Sequence, residues 1–294
     1  MDFMLKFIKN YETTRRNINE KFTKFYTYNL RILFYRIFIR FKYTLLIKFH
    51  LINLFHNYLF ISADIETYGY CNRSCEFCFN NPKFPQREKG IMPVSLWKKI
   101  INELSELHYF GRISPHFFGE PLLDKKLGEH IRYAREKCPD SYILIVSNGD
   151  LLDEEKFLEL IAFGVNKFFI TNYDDQSRLA IQQLVAAYPA YITVRQYTDF
   201  YKIDRAGIIF ERGSSLTKPC LSLFGQLVIN WKGEVVLCCM DYYAKYIFGN
   251  VQDSRIIDIW RNEKMSDYRK KLIKGIRESI EICKFCDYNG NIPW

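Results

Sequence analysis

Beyond residue 60 the chain alternates short apolar runs with segments of helical periodicity. "FISADIETYG" predicts a strand that ends at a cysteine-bearing loop, and "VSLWKKIINELSELHYF" a helix with a Ser at its start. The cycle then repeats: "ISPHFFGEP" is a strand into a turn, 124–137 a helix, "YILIVSNGD" a strand and turn, and 153–163 a helix closed by Gly164. "VNKFFITN", a helix over 175–188 and "YITVRQY" continue it. Such βα repetition implies a parallel sheet or barrel whose active loops follow the carboxyl ends of the strands. Past about residue 205 the rhythm breaks. "GQLVINWKGEVVLCC" predicts a hairpin around the turn from Asn230 to Gly233, followed by a helix near 254–274 and a terminal "CKFC". The expected organisation is therefore an extension over 1–59, a βα domain over 60–205 and a smaller cysteine-bearing unit over 206–294.

Charge sets the first of these apart. Of the net charge of +9, residues 1–63 hold a local +8, from eleven Lys/Arg against three Asp/Glu. No acidic residue occurs between Glu20 and Asp64, while Phe, Tyr, Leu and Ile crowd around Arg31, Arg36, Arg40, Lys42 and Lys48. A basic, aromatic helical segment of this kind can lie on an anionic membrane surface, or pack on its own domain or a partner. The uncharged stretch from Phe49 to Ala63 is interrupted by His50, Asn53, His56 and Asn57 and is too short to span a bilayer, which takes roughly eighteen or more apolar residues. No base-reading motif accompanies the charge, so nucleic acid is not an expected partner.

The nine cysteines call for another account. No apolar leader with a small-residue cleavage site opens the chain, so the expectation is a cytoplasmic protein with metal-binding cysteines rather than a secreted disulfide framework, at most peripheral to the inner face of the membrane. "CNRSCEFC" places Cys71, Cys75 and Cys78 within eight residues. Three thiolates suit either a closed zinc site that takes a fourth ligand from elsewhere or a metal site with a position left open.

A strand followed by C-x3-C-x2-C, with Phe77 before the last cysteine, resembles the radical S-adenosylmethionine (radical SAM) superfamily. In that family three thiolates hold three irons of a [4Fe–4S] cluster, and the fourth iron chelates S-adenosylmethionine (AdoMet). One electron then cleaves the sulfonium, and the 5′-deoxyadenosyl radical takes a substrate hydrogen. The resemblance extends to "FGEP", where Gly119, Glu120 and Pro121 match a turn that contacts the methionine amino group, with Phe118 in place of a first glycine. Ser147, Asn148 and Gly149 match a Ser/Thr-Asn-Gly turn near the cofactor. Thr171 and Asn172 are expected to meet the ribose, and Arg195 the cofactor carboxylate.

Cys220, Cys238, Cys283 and Cys286, with Gly233 five residues before Cys238, resemble the twitch and SPASM domains that carry auxiliary clusters, and imply one fully ligated [4Fe–4S] cluster. The alternative is a four-thiolate zinc site. Cys138 is read as structural. Cys239 can pack, replace Cys238 as ligand or face the substrate, and His116, on a strand beside "GEP", can face the active cavity, although a core or edge histidine is the expected reading. Asp199, Asp204, Arg205 and Asp241 fall near the junction of the two domains, with Arg205 or Asp241 expected to orient or deprotonate a substrate hydroxyl and Cys239 to be the thiol available for hydrogen return.

The resemblance implies a partial (β/α)6 TIM-like barrel with a C-terminal twitch/SPASM-like domain. It also implies a radical SAM oxidoreductase, served by a reducing partner such as flavodoxin or ferredoxin. The expected substrate is a small sugar- or cyclitol-like alcohol, with epimerisation or peptide modification as alternatives. A rival from another class is a non-catalytic metal-binding protein at a membrane surface.

Overall fold

In a computed structural model of the chain, residues 59–173, 178–202, 205–209 and 217–288 are described. The basic extension, and with it the expected membrane or packing role, lies outside them. Among the described residues no helix is long and apolar enough to cross a membrane.

The βα repetition builds one sheet. Its parallel strands are β1 (Ser62–Ile65), β2 (Arg112–Ser114), β3 (Tyr142–Ser147), β4 (Lys167–Asn172) and β5 (Ile192–Gln196). Helices α1 (Val94–Glu106), α2 (Leu127–Lys137), α3 (Glu154–Phe163) and α4 (Arg178–Ala187) connect them, apart from extra turns. Local chemistry sets the boundaries of α3: the Asp153 side chain accepts from the Lys156 amide at its start, and Gly164 takes a left-handed conformation at its end. In α1, Leu96, Trp97, Ile100, Ile101 and Leu104 recur at helical spacing and are buried in the main core.

The predicted hairpin forms, from β6 (Gln226–Ile229) and β7 (Glu234–Val236), but it does not stand apart. β6 pairs in parallel with β1, so the strand order is β5-β4-β3-β2-β1-β6-β7-β8, with β8 (Ile247–Asn250) at the far edge. Among the described residues six parallel strands are thus present, and the sixth joins beside β1 rather than beyond β5. After α5 (Ser222–Gly225) and the hairpin come α6 (Ile256–Arg261), α7 (Glu263–Ile273) and α8 (Glu281–Lys284).

Strand alternation sorts the two faces of the sheet. Ala63, Ile65, Ile113, Ile143, Ile145, Phe168, Ile170, Leu227 and Ile229 enter the main core. The alternate positions, among them Asp64, Arg112, Val146, Phe169, Thr171, Arg195 and Gln226, line a cavity on the other face. A face carrying an acid, two arginines and an amide is not a packing face, and the candidate site lies there.

Candidate active site

The cysteine loop follows β1 and is tied down by the turn after β3. Asn72 donates to Asp150 (2.8 Å) and accepts from the Asn148 amide group (2.8 Å). Arg73 grips Asp150 through two hydrogen bonds, and its guanidinium lies 3.9 Å from the centre of the Tyr173 ring. The Tyr173 hydroxyl reaches Cys75 Sγ at 3.3 Å, and its ring stacks on Phe77. The two residues after Cys71 therefore fix the loop against "SNGD", and the tyrosine after β4 closes it from the other side. None of Asn72, Arg73, Asp150 and Tyr173 was singled out from the sequence. The spacing of Asn72 and Arg73 inside the trio, with an acid directly after Ser147-Asn148-Gly149, was the available signal.

The turn after β2 is shaped by close approach. A Cβ on Gly119 would stand 1.7 Å from the Tyr68 carbonyl oxygen, so no other residue fits this backbone. Glu120 is 3% exposed. Its Oε1 accepts from the Leu122 amide (3.0 Å) and the Ser147 hydroxyl (2.7 Å), and its Oε2 accepts from the Asn148 amide (2.8 Å). Burial pushes its pKa up while the Asn148 and Leu122 amides and the Ser147 hydroxyl hold it down. The carboxylate thus joins the Gly119-Glu120-Pro121 turn to the Ser147-Asn148-Gly149 turn. Pro121 opens a short 3-10 turn and is buried. Asn80 then links three segments: it donates to the Phe118 carbonyl and accepts from the Tyr242 hydroxyl at 3.1 Å.

On the inner sheet face, Asp64 accepts two hydrogen bonds from Arg112 (2.7 and 3.0 Å) and one from Gln226. Arg195 lies over the Phe169 ring at 4.6 Å.

Cys71, Cys75 and Cys78 all line the cavity and are close enough to couple electrostatically. Burial raises the Cys71 thiol to about 11 and raises Cys75. Such thiols are protonated at neutral pH, so iron that binds them must displace protons. A second set gathers in the C-terminal part, where Cys238 couples to Cys283 and Cys286, and Cys283 to Cys220. Arg277, 2% exposed, holds the segments bearing this set together by donating to the carbonyls of Lys218 (3.0 Å) and Tyr288 (2.8 Å). Three thiols beside a cavity and four thiols on converging segments fit two iron–sulfur clusters, the first with an open iron. Among the described residues no three Cys, His, Asp or Glu side chains converge on a single metal ion.

The sequence profile of the radical SAM superfamily matches residues 65–171, and that of the SPASM iron–sulfur cluster-binding domain residues 220–287. A curated relative, the S-adenosyl-L-methionine-dependent 2-deoxy-scyllo-inosamine dehydrogenase of Niallia circulans, is 32% identical over 78% of this chain and 93% of its own length. The chain belongs to the radical SAM superfamily. Among solved structures, BtrN in complex with AdoMet and 2-DOIA superposes with a TM-score of 0.73 at 32% identity, covering 79% of this chain and 94% of that one. BtrN in an open conformation gives 0.64 at 27% identity, over 81% and 100%.

As a radical SAM oxidoreductase the protein uses a [4Fe–4S] cluster with AdoMet and carries a C-terminal iron–sulfur unit. Of the residues read from the sequence, Phe77, Gly119, Glu120, Ser147, Asn148, Thr171, Arg195, Arg205 and Cys239 line the radical SAM cavity. Asn172 has the opposite parity to Thr171 and donates instead to Gln196 on β5 (2.9 Å). Asp241 is 1% exposed, and its carboxylate accepts from the Lys245 (2.9 Å) and Tyr246 (3.0 Å) amides, so it shapes a turn and does not line the cavity. Cys239 couples to Asp64, Arg205 and Cys220, and Cys238 to Cys239, Cys283 and Cys286. Of the two readings of His116 the structure supports the cavity-facing one: it lines the cavity.

Proposed function

We propose that the enzyme oxidises a secondary alcohol of a small cyclitol- or sugar-like substrate to the ketone. The observation that carries this reading is the 32% identity, over 93% of its length, to a 2-deoxy-scyllo-inosamine dehydrogenase. The cavity agrees with it: about 250 Å³ is small for a peptide, and Asp64, Arg112, His116, Arg195, Arg205 and Gln226 offer donors and acceptors suited to a polyol.

Cys71, Cys75 and Cys78 would hold the AdoMet-binding cluster, and Cys220, Cys238, Cys283 and Cys286 one auxiliary cluster. When bound, the first with AdoMet supplies a hydrogen-abstracting radical and the second a one-electron acceptor. Around them, the turns joined by Glu120 position the cofactor, with Thr171 beside the ribose and Arg195 toward the carboxylate, while Arg205 orients the hydroxyl.

The test is anaerobic reconstitution, then incubation with 2-deoxy-scyllo-inosamine and a panel of cyclitols and sugars in deuterated water. A ketone formed in equal amount to 5′-deoxyadenosine, with the recovered alcohol free of solvent deuterium at its carbinol carbon, is the expected result. No oxidised product from any panel member would sink the reading.

A second reading has one specific observation behind it. Cys239 lines the cavity as a thiol that burial raises to about 11, the state needed to return a hydrogen atom in an epimerase. A one-unit mass gain lost in Cys239→Ala would favour it.

We further propose that the electron donor is a flavodoxin or ferredoxin, and that residues 1–59 rest on the cytoplasmic face of an anionic membrane. Their +8 charge and aromatic content support the second point. Vesicle binding that falls with rising salt and vanishes on deletion of 1–59 is expected; salt-insensitive absence of binding would refute it.

A further inference from the structure

Making a ketone from an alcohol requires three departures: a hydrogen atom from carbon, an electron from the resulting radical, and the hydroxyl proton. On the proposed function, AdoMet at the first cluster would supply the group that takes the hydrogen atom, and an auxiliary cluster held by Cys220, Cys238, Cys283 and Cys286 would accept the electron. The third needs a base that touches the substrate.

Most groups lining the cavity cannot serve. Arg112, Arg195 and Arg205 are guanidinium ions that stay protonated. Asp64 already accepts from Arg112 and Gln226. Glu120 already accepts from Leu122, Ser147 and Asn148. The Tyr173 hydroxyl is engaged with Cys75 Sγ (3.3 Å), and Cys239 directly follows Cys238, a cysteine assigned to the auxiliary cluster. His116 remains. It lies between the end of β2 and the Gly119-Glu120-Pro121 turn, is half-buried, and lines the cavity. Among the described residues no hydrogen bond engages its imidazole. The charged groups facing it are Asp64 from β1, Arg112 from β2 and Arg205 from the segment after β5.

We propose that His116 accepts the substrate hydroxyl proton. The proposal rests on the alcohol-oxidising reading above. The O–H bond breaks as the electron leaves the carbon radical, the C=O bond forms, and the proton passes to the imidazole. A hydroxyl on a carbon that is losing an electron is strongly acidic, so a weak base suffices. Burial and the neighbouring Arg112 and Arg205 lower the imidazole to about 4, which keeps it unprotonated and ready at neutral pH. Asp64 opposes that shift and steadies the imidazolium while it forms, and burial returns the ring to its neutral state once the proton has passed on.

The test compares wild type, His116→Gln and His116→Ala, each reconstituted and matched for iron content, with 2-deoxy-scyllo-inosamine as the probe. In His116→Gln, 5′-deoxyadenosine should still form while ketone falls 100-fold or more, the usual scale of a lost general base being about 10²–10⁴. Freeze-quenched samples should show a carbon-centred radical by electron paramagnetic resonance, and imidazole added to His116→Ala should restore part of the ketone. Ketone formed by His116→Gln at the wild-type rate, in equal amount to 5′-deoxyadenosine, overturns the proposal. If wild type makes no ketone from this probe, the comparison is run on whichever panel member it does oxidise, and absence of ketone from every member sinks the dehydrogenase reading and this proposal with it.

Discussion

Glu120→Gln separates two ways in which the turn after β2 can serve AdoMet. Two backbone amides, Leu122 on Oε1 and Asn148 on Oε2, each need an acceptor, and the Ser147 hydroxyl shares Oε1. A glutamine has only one oxygen. Placed at Oε1 it serves Leu122 and Ser147, and its NH₂ then confronts the Asn148 amide. Flipped, it serves Asn148; the Ser147 hydroxyl can rotate to accept, but the Leu122 amide is left facing a donor. Either way one buried N–H goes unpaired, at about 1–3 kcal/mol. That is a large part of a typical stability of about 5–15 kcal/mol but leaves the fold intact. Urea unfolding of the apo protein should show this loss. Because the same carboxylate joins the two turns beside the cysteine loop, AdoMet affinity should fall with it, by at most about 5- to 150-fold. Anaerobic calorimetry on reconstituted protein measures the second quantity. Stability within about 0.5 kcal/mol of wild type combined with lost AdoMet binding would refute the reasoning, since Glu120 would then act on the cofactor directly rather than through the turns.

Gly119→Ala should abolish AdoMet binding in calorimetry, because a Cβ at 1.7 Å from the Tyr68 carbonyl forces the turn away from the cavity; binding at wild-type affinity would contradict this. Asp64→Asn should cost roughly 3–5 kcal/mol in urea unfolding by leaving the buried Arg112 without its counter-charge, and a neutral result would mean that cavity water pairs Arg112 instead. His116 gives a pH signature: above its ordinary 6.5 the ring is neutral whether folded or unfolded, and between 6.5 and about 4 only the unfolded chain takes up the proton. Wild type should therefore lose up to about 3 kcal/mol relative to His116→Gln as pH falls through that window, and parallel stability curves would refute the burial.

Much of this arrangement was legible in the chain. Each strand of the βα repeat announced itself by a short apolar run, and the chemistry-bearing turns fell at strand ends because that is where a parallel sheet leaves backbone groups open. The side on which β6 joins was not legible, since hairpin periodicity is the same whether its first strand pairs with β1 or with nothing. Asp64, Arg112 and Gln226 were passed over because each sits singly in an apolar strand; only the register, with Ser62 opposite both Arg112 and Gln226, shows that they share a face. Asp241 was overvalued for the converse reason. It was chosen for its place near the junction of the two domains, yet its partners are amides four and five residues further on, a local pairing that position in the chain alone does not reveal.

The pairing of β6 with β1 also bears on inheritance. If the C-terminal iron–sulfur unit were a cassette, a gene could lose or exchange it and keep a working cofactor half. Here a break after residue 205 would strip Gln226, Leu227, Val228 and Ile229 from Ser62, Ala63, Asp64 and Ile65, turning the innermost strand into a bare edge. It would also remove the Gln226 hydrogen bond that helps hold Asp64. Recombination at that point should yield aggregates rather than a smaller enzyme. The two halves are thus bound to descend together, and new substrates must arise by point changes along their shared cavity.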